Sequence, residues 1–135
     1  MSDKNITSAY ENETEGHDVT FHDHRHLTDS KRLIEAQPPE EAIAAVSDAL
    51  KQLGDPSRLR IFWLLCHCEE CVTNIAALVD MSSPAVSHHL RLLKGSGLIV
   101  STRHGKEMYY KASDSDLAQK LHHTIEEIAK ISCPE

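Results

Sequence analysis

Two short segments with helical periodicity lie close together near the middle of this chain, and the break between them is only a few residues long. The first covers residues 72–79, and the second runs from 84 to about 95 with a regular apolar face. Residues 81–84, Met-Ser-Ser-Pro, end the first helix and start the second. Because the second segment also carries Ser, His, Arg and Lys side chains on its polar face, the pair predicts a helix-turn-helix.

The segments around this pair complete a small domain. For the helix over 72–79 we expect Thr73 or Asn74 as the N-cap and Ile75, Ala76 and Leu78 as buried side chains. Residues 97–103 and 106–111 are rich in β-forming side chains, and His104-Gly105 between them indicates a hairpin, since glycine accepts a positive φ. A hairpin placed directly after the second helix is typical of a wing.

Three further helices are predicted, two before the pair and one after the hairpin. The first has apolar residues at spacings of three and four and should end with Gly54 as a left-handed cap. The second starts with Asp55 as N-cap and Pro56 at its first position, and it ends at a cysteine cluster. The last is capped by Asp114 or Ser115. Its apolar stripe, which favours a dimer seam, comprises Leu117, Leu121, Ile125, Ile128 and Ile131.

Length and composition limit the organisation of the chain. With 135 residues, 40% of them apolar, it has material for one ordinary core. We predict a flexible, histidine-containing tail over 1–38, a folded domain over 39–132 and a short C-terminal tail over 133–135. The apolar runs are too short to cross a bilayer and the polar start does not resemble a signal peptide, so a soluble, cytoplasmic protein without a membrane partner is expected.

The charge distribution is compatible with a nucleic-acid partner despite the formal net charge of −7. Five basic residues and one acidic residue lie between positions 82 and 111, and such a basic stripe can bind a phosphate backbone. The side chains expected to contact double-stranded DNA from the second helix and the wing are Ser83, Ser87, His88, His89, Arg91, Lys94, Arg103, His104 and Lys106.

Three thiols in six residues, Cys66, Cys68 and Cys71, lie about ten residues before the second helix of the pair. Clustered thiols in a reducing compartment are usually metal ligands or redox sensors, and sulfur favours Zn²⁺, Cd²⁺, Pb²⁺ or trivalent arsenic. Cys66 has an alternative interpretation as a small buried hydrophobe. Cys133, or the tail histidines His22, His24 and His26, would supply further ligands.

Together these motifs resemble the ArsR/SmtB family of metal-responsive repressors. The resemblance covers about residues 40–131 and rests on 53–61, on Cys71-Val72, on 83–94 and on 105–110. It implies a mostly α fold with a small β-hairpin, a winged helix-turn-helix that is dimeric through its N- and C-terminal helices. It also implies repression of an efflux or detoxification operon.

The resemblance further implies two metal sites. Cys71 matches a family thiol, while Thr73 replaces the second one. In the zinc site of the C-terminal helix Asp114 matches the first ligand, and the remaining positions fall at Asp116, Glu127 and Lys130. A shifted version of that site would use His122, His123 and Glu126.

Our leading hypothesis is therefore a repressor that binds operator DNA as a homodimer and is released when a soft or borderline metal, Zn, Cd, Pb or arsenite, binds a cysteine site. Two alternatives remain: a thiol-redox-sensing repressor of the same fold, with Cys71 and the partner's Cys133 forming a disulfide, or a small metal-buffering protein without DNA binding. No arrangement of nucleophile, base and oxyanion donors is present in the sequence, so an enzyme is not expected.

Overall fold

A computed structural model describes residues 27–131, 133 and 134 of the chain, which divides into two compact units, Met1–Pro39 and Glu40–Glu135. In the first unit, helix α1 spans Leu27–Glu35 and carries a surface ion pair between Arg32 and Asp29 at 3.9 Å. The segment predicted to be a flexible tail thus includes a helix in its last third. The candidate ligands His22, His24 and His26 lie outside the described residues.

The second unit contains five helices and three strands among its described residues. Their bounds are α2 Glu40–Leu53, α3 Pro56–Leu65, β1 Glu70–Cys71, α4 Val72–Val79, α5 Ser83–Gly95, β2 Ile99–His104, β3 Glu107–Ala112 and α6 Asp116–Ala129. The strands form an antiparallel sheet in the order β1-β3-β2. The helix-turn-helix and the hairpin that follows it are therefore confirmed, and β1 is an addition that the sequence did not indicate.

The core lies where α3, α4 and α5 meet the base of the hairpin. Its largest fully buried side chains are Phe62, Ile61, Leu65, Ile75, Leu90, Leu93, Leu98, Ile99 and Val86. Each such side chain contributes on the order of 1.5–3 kcal/mol by leaving water. The face of α5 that holds Val86, Leu90 and Leu93 is thus fixed to the core, and its opposite face lies on the surface.

Side-chain caps start three of the helices. Asp55 Oδ2 accepts from the Arg58 amide at 3.0 Å, Ser82 Oγ from the Ala85 amide at 3.3 Å, and Ser115 Oγ from the Ala118 amide at 3.2 Å. Each cap satisfies an amide that has no partner within its helix. The predicted cap at Asp55 is confirmed, and of the two candidates for α6 the structure selects Ser115.

Two predicted backbone features are wrong. Gly54 is not left-handed, since the glycines with positive φ among the described residues are Gly97 and Gly105. Its amide instead bonds the Lys51 carbonyl at 3.2 Å, so the backbone tightens directly into the Asp55 cap. In the hairpin the turn is Gly105-Lys106, one residue later than expected, because His104 already pairs with Glu107.

Two predictions for α4 also fail. Its N-cap is Cys71, with no side-chain hydrogen bond, while Asn74 Nδ2 donates to Glu70 Oε2 at 2.8 Å. Leu78 is 62% exposed. The core faces the side of α4 that carries Ile75, Ala76 and Val79, and a position about 110° away from the centre of that side points to solvent.

Exposed apolar side chains remain on two helices of the second unit. On α2, Ile43 and Val46 are 42% exposed and Leu50 is 52% exposed. The stripe of α6 divides: Leu117, Leu121 and Ile125 pack against the core, whereas Ile128 and, just after the helix, Ile131 are exposed. No helix in the described part of the chain is long and apolar enough to cross a membrane.

Candidate DNA-binding surface and metal centre

Helix α5 presents a polar face next to the hairpin. Asp80 at the end of α4 adopts a left-handed conformation with φ 56°, which turns the chain into α5. Ser83, Ser87, His88 and Arg91 are exposed, and His89 is half-buried. Because the opposite face of α5 is fixed to the core, this face is the part of the helix that can enter a DNA groove.

The hairpin extends this surface with cations. Lys94 is exposed, and its Nζ donates to Ser101 Oγ at 2.7 Å, which links the end of α5 to β2. Arg103, His104 and Lys106 are exposed at the hairpin tip. The structure thus places all nine side chains predicted to contact DNA on α5 or the hairpin, eight of them exposed.

Two histidines of α5 are bonded to arginines. Arg58 Nη1 lies 3.2 Å from His89 Nδ1, and Arg91 Nη2 lies 2.9 Å from His88 Nδ1. Burial lowers the pKa of His89, Asp55 opposes this shift, and Arg58 and His88 reinforce it. The shift favours the neutral ring of His89.

A group of four possible metal ligands lies where the turn after α3 meets α6 and the C-terminal segment. His67 from the turn after α3, His122 and Glu126 from α6, and Cys133 from the C-terminal segment place their ligand atoms within 4.8 Å of one another. His122 and Glu126 share a helix face because they are four residues apart. We call His67, His122, Glu126 and Cys133 the four-donor group. Among the described residues, the structure gathers one such group.

The distances within the four-donor group suit a tetrahedral metal ion. The Nε2 atoms of His67 and His122 are 3.2 Å apart, and they lie 3.2 and 3.1 Å from Glu126 Oε2. Cys133 Sγ lies 3.7 Å from His122 Nε2 and 2.8 Å from Glu126 Oε1. Ligand atoms about 2.0–2.3 Å from a tetrahedral Zn²⁺ are about 3.3–3.8 Å apart, so small side-chain shifts would complete the site.

The carboxylate of Glu126 bonds the other three members of the four-donor group. Among the described residues it is the one charged or polar side chain that is buried, with 6% exposure. The hydrogen bond from Cys133, helped by those from Trp63 and His122, lowers the pKa of Glu126 to about 2 against the opposing effect of burial. The carboxylate is thus ionised and available as a ligand. The bond to Glu126 in turn raises the pKa of Cys133.

Trp63 contacts the four-donor group without being a member of it. Its Nε1 donates to Glu126 Oε2 at 3.0 Å, and its ring centroid lies 4.7 Å from that of His67. Trp63 is the single tryptophan of the chain. Partners of this kind orient ligands without binding the metal themselves.

The three clustered cysteines lie outside the four-donor group. Cys66 is half-buried beside the four-donor group, and burial, followed by the negative charges of Glu126 and Cys133, raises its pKa to about 12. Cys68 donates to the Leu64 carbonyl at 3.4 Å, and burial, followed by Glu70, raises its pKa. Cys71 is buried in β1, opposite Tyr109. Of the four predicted cysteine ligands, Cys133 alone belongs to the four-donor group, and it joins residues of its own chain.

The other predicted ligands of the last helix are used differently. Asp116 forms a surface ion pair with Lys120 at 2.7 Å, and Glu127 is exposed. His123 stacks on His122 with ring centroids 5.2 Å apart. A cleft of about 280 Å³ beside the group is lined in part by Cys66, Cys68, Asp114, His122 and His123. Two residues of the shifted site, His122 and Glu126, are thus brought together with other donors.

His67 is the member of the group that the sequence did not predict. It follows the end of a helix and lies four residues after Trp63. A second signal was available in α6, where the polar pair His122 and Glu126 runs beside the apolar residues Leu121 and Ile125. A polar pair at helical spacing next to a core-facing stripe indicates a site at the edge of the core.

The exposed helix-turn-helix and the basic hairpin define a winged helix-turn-helix DNA-binding protein. The family model for "Bacterial regulatory protein, arsR family" matches residues 55–101. A CadC homolog of Staphylococcus aureus, a cadmium resistance transcriptional regulatory protein, is 31% identical over 103 residues, which are 76% of this chain and 82% of that protein. The chain belongs to the ArsR family, in its ArsR/SmtB group of regulators.

Two further comparisons agree with this assignment. The HTH-type transcriptional repressor SmtB of Mycobacterium tuberculosis is 34% identical over 83 residues, and these span 62% of each protein. The chain therefore spans about three fifths of that relative. A solved structure, the homodimeric winged helix-turn-helix DNA-binding domain of Mb0332 from Mycobacterium bovis, matches with a TM-score of 0.61 and 30% identity over 70% of this chain and 89% of that one.

Proposed function

We propose that this protein is a metal-responsive transcriptional repressor that acts in the cytoplasm. In this proposal it binds operator DNA as a homodimer through α5 and the hairpin, and it leaves the DNA when a metal ion binds the four-donor group. The observation that carries the proposal is the convergence of His67, His122, Glu126 and Cys133 in the same compact unit as the DNA-binding surface. The relative that regulates cadmium resistance supports it.

The donor set favours a borderline metal. Two imidazoles, one carboxylate and one thiol suit Zn²⁺, and one thiolate also makes Cd²⁺ an acceptable ion. With an ionised Glu126 and a deprotonated Cys133, a divalent ion would leave the site neutral, which reduces the cost of burying charge. Pb²⁺ and arsenite, which depend more on sulfur, would need Cys66 or Cys68 as additional ligands.

One contact supports coupling between the four-donor group and the DNA-binding surface. His67 and Glu69 belong to the same short loop, and Glu69 Oε1 lies 3.7 Å from His104 Nε2 at the hairpin tip. A metal ion that draws His67 towards α6 would therefore act on a loop that touches the wing. Coupling between two sites of this kind typically amounts to about 1–3 kcal/mol.

The homodimer would form through the exposed apolar residues of the second unit. Ile43, Val46 and Leu50 on α2 and Ile128 and Ile131 at the end of α6 are the side chains that a partner would cover. A symmetric pair of α5 helices would then read two half-sites about 34 Å apart. Because α6 also carries His122 and Glu126, metal binding and dimer geometry involve the same helix.

A thiol-redox repressor is the second candidate. Cys66 lies beside the four-donor group that contains Cys133, so these two thiols are the candidates for a disulfide within one chain. DNA binding that is lost with peroxide but insensitive to metals would select this function over metal sensing.

The test combines DNA binding with metal binding. Fluorescence anisotropy with labelled DNA from upstream of the protein's own gene is recorded with and without Zn²⁺, Cd²⁺, Pb²⁺ and arsenite. In parallel, the emission of Trp63 reports metal binding directly, because this side chain bonds Glu126. We expect Zn²⁺ or Cd²⁺ to change the emission and to weaken DNA binding at least 10-fold, in line with strong coupling.

The matched variants are His122→Ala and His123→Ala. The two residues are neighbours on α6, but only His122 contributes a ligand atom to the four-donor group. His122→Ala should abolish the response to metal and keep DNA binding, whereas His123→Ala should keep both. Undiminished DNA binding by the wild type under all four metals contradicts the proposal, and so does an equal loss of response in the two variants.

A further inference from the structure

Arg58 holds the imidazole of His89 in one tautomer. The arginine is anchored on its own side of the contact, since its amide donates to Asp55 Oδ2 at 3.0 Å and its Nε donates to the Gln52 carbonyl at 2.8 Å. Its Nη1 reaches His89 Nδ1 at 3.2 Å. A guanidinium group has donors and no acceptor, so Nδ1 must be the acceptor and the ring proton must be on Nε2.

The resulting Nε2–H group is a donor without a partner in the described part of the chain: apart from Arg58, no described residue there hydrogen-bonds to the ring of His89. His89 belongs to α5, one residue after the exposed His88. A neutral ring that is fixed at one nitrogen and free at the other presents one directed hydrogen bond.

We propose that His89 is a specificity-determining residue that donates from Nε2 to the N7 atom of a purine in the major groove, and that Arg58 is the positioning residue that fixes its tautomer. This inference rests on the proposed function, in which α5 enters the groove. N7 is an acceptor on the major-groove edge of both purines. A contact of this type distinguishes a purine from a pyrimidine at one position of the operator.

A phosphate oxygen is the competing target, and the surroundings of His89 disfavour it. Phosphate contacts gain most from a charged donor. The groups that face His89 are Asp55, which favours the charged ring, and Arg58 and His88, which oppose it together with burial. Protonation would also place a second hydrogen on Nδ1, directly against the guanidinium of Arg58.

The two targets predict opposite responses to acid. A histidine that binds phosphate would bind more tightly when it becomes charged at low pH. A neutral histidine held by Arg58 would lose both its tautomer and its position. We therefore expect the contribution of His89 to DNA affinity, taken as the difference between the wild type and His89→Ala, not to increase from pH 7.5 to pH 5.5.

The experiment uses the full chain without metal and the duplex that it protects upstream of its own gene. Purines in that duplex are replaced one at a time by their 7-deaza analogues, which lack N7. For the wild type, replacement at one position per half-site should reduce affinity about 5- to 10-fold, as expected for one hydrogen bond. For His89→Ala the natural duplex should already show this loss, and the same replacement should have no further effect.

Arg58→Gln tests the positioning role, with Arg60→Gln as its control. Arg60 is exposed on the same helix, so its substitution removes the same charge without touching His89. Arg58→Gln should give the same pattern of 7-deaza effects as His89→Ala, whereas Arg60→Gln should match the wild type. Circular dichroism melting shows whether Arg58→Gln is folded, and the His89→Ala result stands if it is not.

Three results would overturn the inference. The first is a set of 7-deaza effects that is the same in the wild type and in His89→Ala. The second is a loss in His89→Ala that is uniform across sequences, with a salt slope reduced by about one, as for a phosphate contact. The third is a contribution of His89 that grows in acid. If the wild type protects no site in its upstream DNA, the proposed function itself is refuted.

Discussion

Trp63→Phe is the substitution that tests the metal centre most closely without removing a ligand. Phenylalanine keeps most of the buried aromatic surface and deletes only the Nε1–H donor, which lies 3.0 Å from Glu126 Oε2. The side chain of Glu126 also bonds His67, His122 and Cys133. These three partners are members of the four-donor group, whereas Trp63 is not.

This difference decides in which state the substitution matters. If a metal ion bound the four-donor group, the nitrogen and sulfur atoms that bond Glu126 would bind the ion instead, and Trp63 would remain as the partner that orients the carboxylate. In the metal-free protein the other bonds to Glu126 persist. We therefore expect Trp63→Phe to weaken Zn²⁺ binding about 10- to 100-fold, or about 1.4–2.7 kcal/mol, and to change the metal-free melting temperature little.

The measurement is a Zn²⁺ titration in competition with a chromophoric chelator, which does not depend on tryptophan emission. Melting curves with and without Zn²⁺ then show whether the loss belongs to the metal-bound state. Phe62 is fully buried in the core and serves as a contrast: Phe62→Leu should lower the melting temperature in both states equally. Wild-type Zn²⁺ affinity in Trp63→Phe would refute the argument.

Three further predictions address the caps, the dimer and the wing. Asp55→Ala should reduce stability by about 1 kcal/mol at pH 7; since the bond from the Arg58 amide lowers the pKa of Asp55, the deficit should shrink as the pH falls below about 4, and a deficit in urea melts that is unchanged in acid would contradict this. Leu50→Glu should yield monomers in sedimentation experiments, while Leu78→Glu, at an exposed leucine of α4, should leave the dimer intact; dimeric Leu50→Glu would remove α2 from the interface. Lys106→Ala should weaken binding to all DNA sequences alike and reduce the salt slope by about one, and a loss confined to one base position would assign Lys106 to base contacts.

Local signals in the sequence predicted the DNA-binding half of the molecule well. The bounds of α4, the buried face of α5 and the cap at Asp55 follow from periodicity and from residues that act on their immediate neighbours. The errors also have local causes. At Gly54 a tight turn replaced the expected left-handed cap, and at Leu78 the orientation of α4 against the core decided burial.

The proposed metal centre was less accessible to such reasoning. Three thiols close together in sequence suggested one site, but they occupy a helix end, a loop and a buried strand, and none of them belongs to the four-donor group. The donors that do converge are separated by more than fifty residues, from His67 to His122. Sequence proximity predicts shared faces only within one helix, as it does for His122 and Glu126.

The sequence by itself therefore determined helices α2 to α6, the hairpin, their order and the polar face of α5, because caps, periodicity and turn residues act over a few positions. Only the tertiary structure decided which donors meet, because packing α6 against α3 brings His122 and Glu126 to His67 and Trp63. In β1, which pairs with β3, Cys71 is buried, and Cys133 is the one predicted cysteine in the four-donor group. Packing α3 against α5 placed Arg58 against His89, a contact between distant positions that no local pattern predicts.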